Sequence, residues 1–196
     1  MDKPYSIIII SGPSGVGEDS IIEKLSGRIA LERVVTTTTR PMRPGESEGH
    51  PYHFISKQEF LEKVKENKFF EHAQEYNGHL YGVTFEELKR VENSGKIGVW
   101  KIEYKGVIKA KELIPNIVAI FINAPLDILE NRIRRRDKAN DTYVAERMKY
   151  TKEWLKYRDI YDFEVENTEG HLLESVDKVE SIIKGLFPLD KKGKIL

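Results

Sequence analysis

The most regular feature of the chain is an apolar run near its start that does not alternate. Residues 6–11 read Ser-Ile-Ile-Ile-Ile-Ser. A short β-branched run of this kind predicts a strand buried on both faces. Gly12-Pro13-Ser14-Gly15-Val16-Gly17 follows, a composition that neither a helix nor a strand tolerates in its interior. Ile21, Ile22, Leu25 and Ile29 then recur at helical spacing within residues 19–29. Strand, glycine loop, helix is the opening of a nucleotide-binding α/β fold.

The pattern changes in the middle third. Residues 36–39 are four threonines, a β-favouring run, followed by the turn-forming Pro41-Met42-Arg43-Pro44-Gly45. Residues 52–55 predict a strand. Ser56 then caps a helix, and Glu59 completes a capping box. Asn77-Gly78, between two aromatic runs, is a hairpin signal. Residues of about 34–95 are therefore expected to form a small inserted lobe of strands plus a helix. The buried pattern resumes with core strands at 97–103 and 117–122, separated by a helix over 107–113. Helices are expected over 126–136, 141–157 and 172–186, with a last strand at 163–167. The tail from 190 is expected to fray. The fold class is thus α/β, a P-loop core with a parallel sheet flanked by helices, formed by 1–33 and 96–190, with 191–196 as a tail.

Composition narrows the partners. A chain of 196 residues suits one domain with a sizeable core. Hydrophobic residues at 39% and charged residues at 33% exclude both disorder and long membrane spans. The apolar run after Met1-Asp2-Lys3-Pro4 is too short for a signal-peptide core. Lys+Arg and Asp+Glu both number 32, so no global field draws the protein to nucleic acid or an anionic membrane, and any anion site is local. The absence of cysteine excludes disulfides, thiolate metal sites and cysteine nucleophiles. It fits a reducing, cytoplasmic location.

The glycine loop is the first candidate for chemistry. The phosphate-loop pattern is Gly, four residues, Gly, Lys, then Ser or Thr. Gly12 and Gly17 fit it, but Glu18 holds the lysine position, Asp19 the hydroxyl position, and Ser20 comes one residue later. Such a loop points backbone N–H groups and a helix N-terminus at phosphate oxygens, and these donors survive. The cation does not. Two unit charges about 4 Å apart interact by roughly 4 kcal/mol at a near-surface dielectric, so the reversal of sign is large. The ordinary role of Glu18 and Asp19 is to favour a helix N-terminus.

Residues 36–46, Thr-Thr-Thr-Thr-Arg-Pro-Met-Arg-Pro-Gly-Glu, are continued by Gly49, Tyr52, Phe54 and Ser56, by Glu71 within Phe69-Phe70-Glu71-His72-Ala73, and by Tyr81-Gly82. This series resembles the GMP-binding signature of guanylate kinases, and the resemblance runs from about residue 7 to 183. It implies a core, a GMP lobe, and an arginine-rich lid at about 132–150 that closes over ATP and GMP, with Mg2+ as cofactor. The implied protein is a monomer or homodimer with no nucleic-acid or membrane partner. The resemblance assigns GMP contacts to Thr36, Arg40, Arg43, Glu46, Tyr52, Glu71, Tyr81 and Glu103. At Val83 the family usually has a small hydroxyl residue, which puts one base contact in question. It assigns ATP contacts to the 12–20 loop and to Asn167. Arg132, Arg136 and Arg147 match its lid arginines.

The residue chemistry is compatible. Arg40 and Arg43 sit in a Pro/Gly-shaped loop, suited to a bidentate grip on a phosphate. Tyr52 and Tyr81 carry phenolic donors. A carboxylate such as Glu71 accepts from both N1–H and the exocyclic amine of guanine, a donor pair adenine lacks. Arg132, Arg134, Arg135 and Arg136 crowd one helix end, which also suits a solvated helix C-terminus.

A second departure lies at 101–103. Relatives of that family usually carry Asp-Ile-Asp where this chain has Lys101-Ile102-Glu103. Two positions expected to be neighbours have thus exchanged sign. In one reading Lys101 supplies the missing cation while Asp19 or Glu18 holds Mg2+. In the other the pair is structural and the loop no longer binds ATP. The function expected is phosphoryl transfer from ATP to GMP. The alternatives are an impaired domain that binds GMP or a phosphorylated partner, and a related kinase with another small phosphate acceptor. Retained lid arginines count against the first alternative, and the complete guanine signature against the second.

Overall fold

The computed structural model describes residues 5–74, 78–137, 140–190, 192, 193 and 195. Strand β1 (Ile7–Ser11) is followed by the glycine loop and α1 (Glu18–Ser26). Then come β2 (Leu31–Arg33), β3 (Thr36–Thr38), β4 (Ser47–Glu48), β5 (Pro51–Phe54), α2 (Lys57–Lys65), β6 (Phe69–Gln74), β7 (Leu80–Thr84) and α3 (Phe85–Glu92). The chain continues through β8 (Ile97–Trp100), α4 (Tyr104–Leu113), β9 (Val118–Asn123), α5 (Leu126–Asp137), α6 (Asp141–Leu155), β10 (Phe163–Glu166) and α7 (Leu172–Leu186). They form two sheets, ordered β10-β9-β1-β8-β2 and β4-β5-β3-β7-β6.

The first sheet is wholly parallel, and β1 lies at its centre. This explains the unbroken isoleucine run. Ile8 and Ile10 pack with Ile21 and Leu25 of α1 and Val176 and Val179 of α7. Ile7 and Ile9 pack on the other side with Leu88 and Val91 of α3 and Val107 of α4. All four isoleucines are fully buried, each stabilising the fold by roughly 1.5–3 kcal/mol. The second sheet is mixed: β3 runs parallel to β5 and antiparallel to β7, and β6 pairs antiparallel with β7. The β6–β7 pairing is the hairpin foreseen around Asn77-Gly78, although Asn77 itself lies outside the described residues.

Several elements differ from the sequence expectation. β8 stops at Trp100 because its pairing ends there, at Ile9↔Trp100. Residues 101–103 form a loop, and α4 begins at Tyr104, earlier than expected. The second helix of the middle third, α3, was not foreseen; Thr84 caps it by accepting from the Glu87 N–H at 3.1 Å. Ser56 caps α2 in the same way through Glu59 N–H, as expected. The described tail residues make backbone contacts. Ala30 N–H donates to the Gly193 carbonyl at 3.3 Å, and Leu189 bridges Ile195.

Candidate active site

The glycine loop leaves the C-terminal end of β1 and is held from beneath. A side chain at Gly12 would put its Cβ 2.3 Å from the Ile122 carbonyl oxygen. Gly17 has φ +90°, and a Cβ there would meet Asn167 Nδ2 at 2.7 Å. Asn167 is buried, donates its amide to the Val16 carbonyl at 2.7 Å, and accepts from Ser175 Oγ at 3.3 Å. Its amide is therefore committed to the loop and not to solvent. Val16 is wholly buried in the core and its N–H donates to the Pro13 carbonyl at 3.1 Å, so it shapes the loop from within. Arg132 reaches the loop from α5, with Nη1 3.4 Å from the Gly15 and Val16 carbonyls and Nε 3.2 Å from Glu169. Arg136 lies on α5, its side chain outside the described residues. Ser20 lies on α1, exposed.

The lobe sheet presents the second group. Arg40 is buried, donates to Glu46 Oε1 and the Pro41 carbonyl at 2.7 Å each, and lies over the Tyr52 and Phe54 rings at 5.3 and 5.5 Å. Burial opposes its charge, but Glu46 more than offsets this and holds the guanidinium pKa above its ordinary value. The other Glu46 oxygen accepts from Arg43 N–H at 2.7 Å, while the Arg43 side chain is exposed. Tyr52 and Tyr81 meet edge to face at 5.8 Å. The Glu71 carboxylate has no hydrogen-bond or ion-pair partner among the described residues, and burial pushes it up to about 7. Val83 corrects the expectation made for it. It is wholly buried and does not line the cleft, because its side chain belongs to the core cluster that includes Leu88 and Val91 of α3 and Trp100 of β8. The adjacent Thr84 hydroxyl is spent on the α3 cap.

These groups face one another across a cleft of about 730 Å³. Gly12 and Ser14 of the loop, Thr36, Arg43, Tyr52, Glu71 and Tyr81 of the lobe, Lys101 and Glu103 of the β8–α4 loop, and Arg147 of α6 all line it. Its lining also carries Lys105, Gln74, Tyr150 and Trp154, which sequence reasoning did not single out. Arg147, Tyr150 and Trp154 lie at helical three- and four-residue spacing, the signal that would have found the latter two. Tyr150 donates to the Glu103 carboxylate. Burial pushes the Glu103 carboxyl upward, against that bond and the nearby Arg147 and Lys105 charges. Lys101 Nζ stands 2.7 Å from Asp19 Oδ2 and 3.9 Å from Glu18 Oε1. Asp19 also accepts from Arg33 of β2. The lining holds five basic and five acidic side chains, so the cleft contains cations without being basic as a whole.

A family model described as guanylate kinase matches residues 5–186. The chain belongs to the guanylate kinase family. Relatives include a guanylate kinase from a Nostoc strain, 36% identical over 86% of this chain and 86% of the relative. Another, from Clostridium tetani, is 34% identical over 90% of this chain and 84% of the relative. The crystal structure of guanylate kinase from Anaplasma phagocytophilum superposes with a TM-score of 0.73 at 26% identity, covering 94% of this chain and 88% of that one.

The magnesium ion that family membership implies fits the donor set in part. Glu18 and Asp19 offer hard carboxylate oxygens on the first turn of α1. Among the described residues no group of three or more His, Cys, Asp or Glu gathers to hold a metal. The protein would thus contribute one or two oxygens, the remainder coming from phosphate and water, the usual manner of Mg2+ binding. Among the described residues no helix is long and apolar enough to cross a membrane.

Proposed function

We propose that the protein transfers the γ-phosphoryl group of ATP to GMP, giving ADP and GDP. The observation that carries this reading is the meeting of two half-sites in one cleft. The guanine-signature residues Thr36, Arg43, Tyr52, Glu71 and Tyr81 face the loop residues Gly12 and Ser14. An oxygen of the GMP phosphate forms a bond to the γ-phosphorus. The bond from that phosphorus to the bridging oxygen breaks, and ADP leaves with the electron pair. The acceptor is already anionic, so the reaction needs no strong base; catalysis is positioning and charge neutralisation.

Arg43, Tyr52 and Tyr81 hold the GMP phosphate, and Arg40, locked by Glu46, shapes their loop and adds its charge. The Glu71 carboxylate accepts from N1–H and the exocyclic amine of guanine, with Thr36 and Glu103 beside the base. The loop N–H groups and α1 bind the ATP phosphates, Asn167 keeps the loop in shape, and Arg132, Arg136 and Arg147 neutralise the transferring group from the lid. Asp19 or Glu18 would hold Mg2+, which would supply charge neutralisation on the phosphate oxygens. Closure of lid and lobe excludes water and protects ATP from hydrolysis.

The test is GDP formation from ATP, GMP and Mg2+, with ADP followed in parallel and AMP as the control acceptor. Equal yields of GDP and ADP at roughly 1–100 turnovers per second are expected, with AMP a poor acceptor. One observation favours a second reading, binding without transfer: the Lys101 ammonium beside the first turn of α1 already has a carboxylate partner in Asp19. Tight GMP binding with no GDP above background would establish it. Transfer to a different small phosphate, with GMP inert, would replace both.

A further inference from the structure

Resting on that reading and deepening it, we infer that Lys101 is the phosphate-binding cation of the ATP half-site, delivered from the neighbouring strand, and that Asp19 occupies it until polyphosphate arrives. The topology makes this delivery possible. β8 runs parallel to β1 in the adjacent position, so residues leaving the C-terminal ends of both strands emerge at the same edge of the sheet. The glycine loop leaves β1 there, and Lys101 is the first residue beyond β8. Its ammonium lies against the first turn of α1 and lines the same cleft as Gly12 and Ser14.

The loop that carries Lys101 is fixed by a directed chain of hydrogen bonds. Ser11 Oγ donates to the Ile102 carbonyl at 2.6 Å. A hydroxyl has one proton, so the 3.0 Å contact between Ser11 and Tyr161 has Tyr161 as donor. Tyr161 in turn accepts from Trp154 Nε1 at 3.0 Å. Tyr150 anchors Glu103 on the far side of the same loop. The backbone around Lys101 is thereby held, and its reach is set by the four-carbon stem alone.

Asp19 is built to give Lys101 up. Its side chain is 58% exposed, against 26% for Lys101, so water reaches the carboxylate side of the pair and can solvate it when Lys101 leaves. Arg33 already bonds its other oxygen, so departure of Lys101 leaves Asp19 with a cation. A carboxylate offers an ammonium the same kind of acceptor as a phosphate oxygen, and a triphosphate carries more charge.

The experiment measures ATP and GMP binding calorimetrically, together with thermal unfolding, for the unaltered chain, Lys101→Met, Lys101→Met with Glu18→Lys, and Asp19→Asn. Lys101→Met is expected to weaken ATP binding by about 100-fold while GMP affinity stays within about twofold. Adding Glu18→Lys is expected to return ATP affinity to within about tenfold of the original. A static pair predicts neither the restriction of the loss to ATP nor its rescue. Asp19→Asn is expected to tighten binding of magnesium-free ATP several-fold. ATP affinity of Lys101→Met within about threefold of the original, or no rescue in the double variant, overturns the inference while leaving GMP phosphorylation intact. Should Lys101→Met fail to fold, Asp19→Asn decides: unchanged or weaker magnesium-free ATP binding overturns it. An unaltered chain that binds no ATP and makes no GDP overturns this inference together with the proposed function.

Discussion

At Glu71 the burial of a single carboxyl ties the stability of the fold to pH. Its carboxyl, ordinarily at 4.5, is pushed up to about 7 by burial. Between those values the folded chain holds a proton that the unfolded chain has lost. Stability therefore falls as pH rises through this window, and above pH 7 the charged, buried carboxylate costs roughly 3 kcal/mol. Glu71→Gln is expected to be more stable than the original by about that amount at pH 8 and nearly equal at pH 4.5, as read by urea denaturation. In the proposed function it is the ionised form that accepts from guanine, so GMP affinity is expected to drop about tenfold per pH unit below 7, and Glu71→Gln is expected to abolish that dependence. The two lobe arginines separate on the same scale. Arg40 is buried against Glu46, and Arg40→Ala is expected to destabilise the fold by roughly 3 kcal/mol. Arg43→Ala, at an exposed side chain, is expected to change stability by less than about 0.5 kcal/mol and to lose GMP affinity alone.

Among the elements, the glycine loop depends on a strut from β10–α7. Asn167→Ala removes the donor to the Val16 carbonyl. It is expected to cost about 1–3 kcal/mol in denaturant unfolding and to weaken ATP binding with GMP binding unchanged. The elements most legible in the sequence were those whose periodicity is enforced by burial. β1 announced itself because both faces of the sheet are covered, and α7 because its apolar stripe meets α1 and the sheet. β8 was read too long because Lys101-Ile102-Glu103 continues an alternating pattern after the pairings to β1 and β2 have ended. α3 was missed although Thr84 and Glu87 stand at capping-box spacing, since its apolar residues directly extend a strand. The site was legible where its residues follow one another along the lobe sheet. It was not legible where distant elements cross: nothing local joins Arg33 to Asp19, Asn167 to Val16, or Trp154 through Tyr161 to Ser11.

At the scale of the whole molecule, acidic and basic residues cancel, and they balance again along the cleft. Long-range steering of ATP is therefore weak. Its association rate is expected to change by less than about threefold between 10 and 200 mM salt in stopped-flow measurements, where a net basic cleft would show a much steeper fall. The two tryptophans divide the molecule differently. Trp100 is wholly buried, with its indole N–H lacking an acceptor among the described residues. Trp154 lines the cleft and spends its N–H on Tyr161. The first is an emitter sealed in an apolar surround, blue and indifferent to what enters the site. The second sits where a nucleotide would quench or shift it, so Trp100→Phe would turn the protein into a single-colour lamp whose brightness counts occupied clefts, with no dye attached.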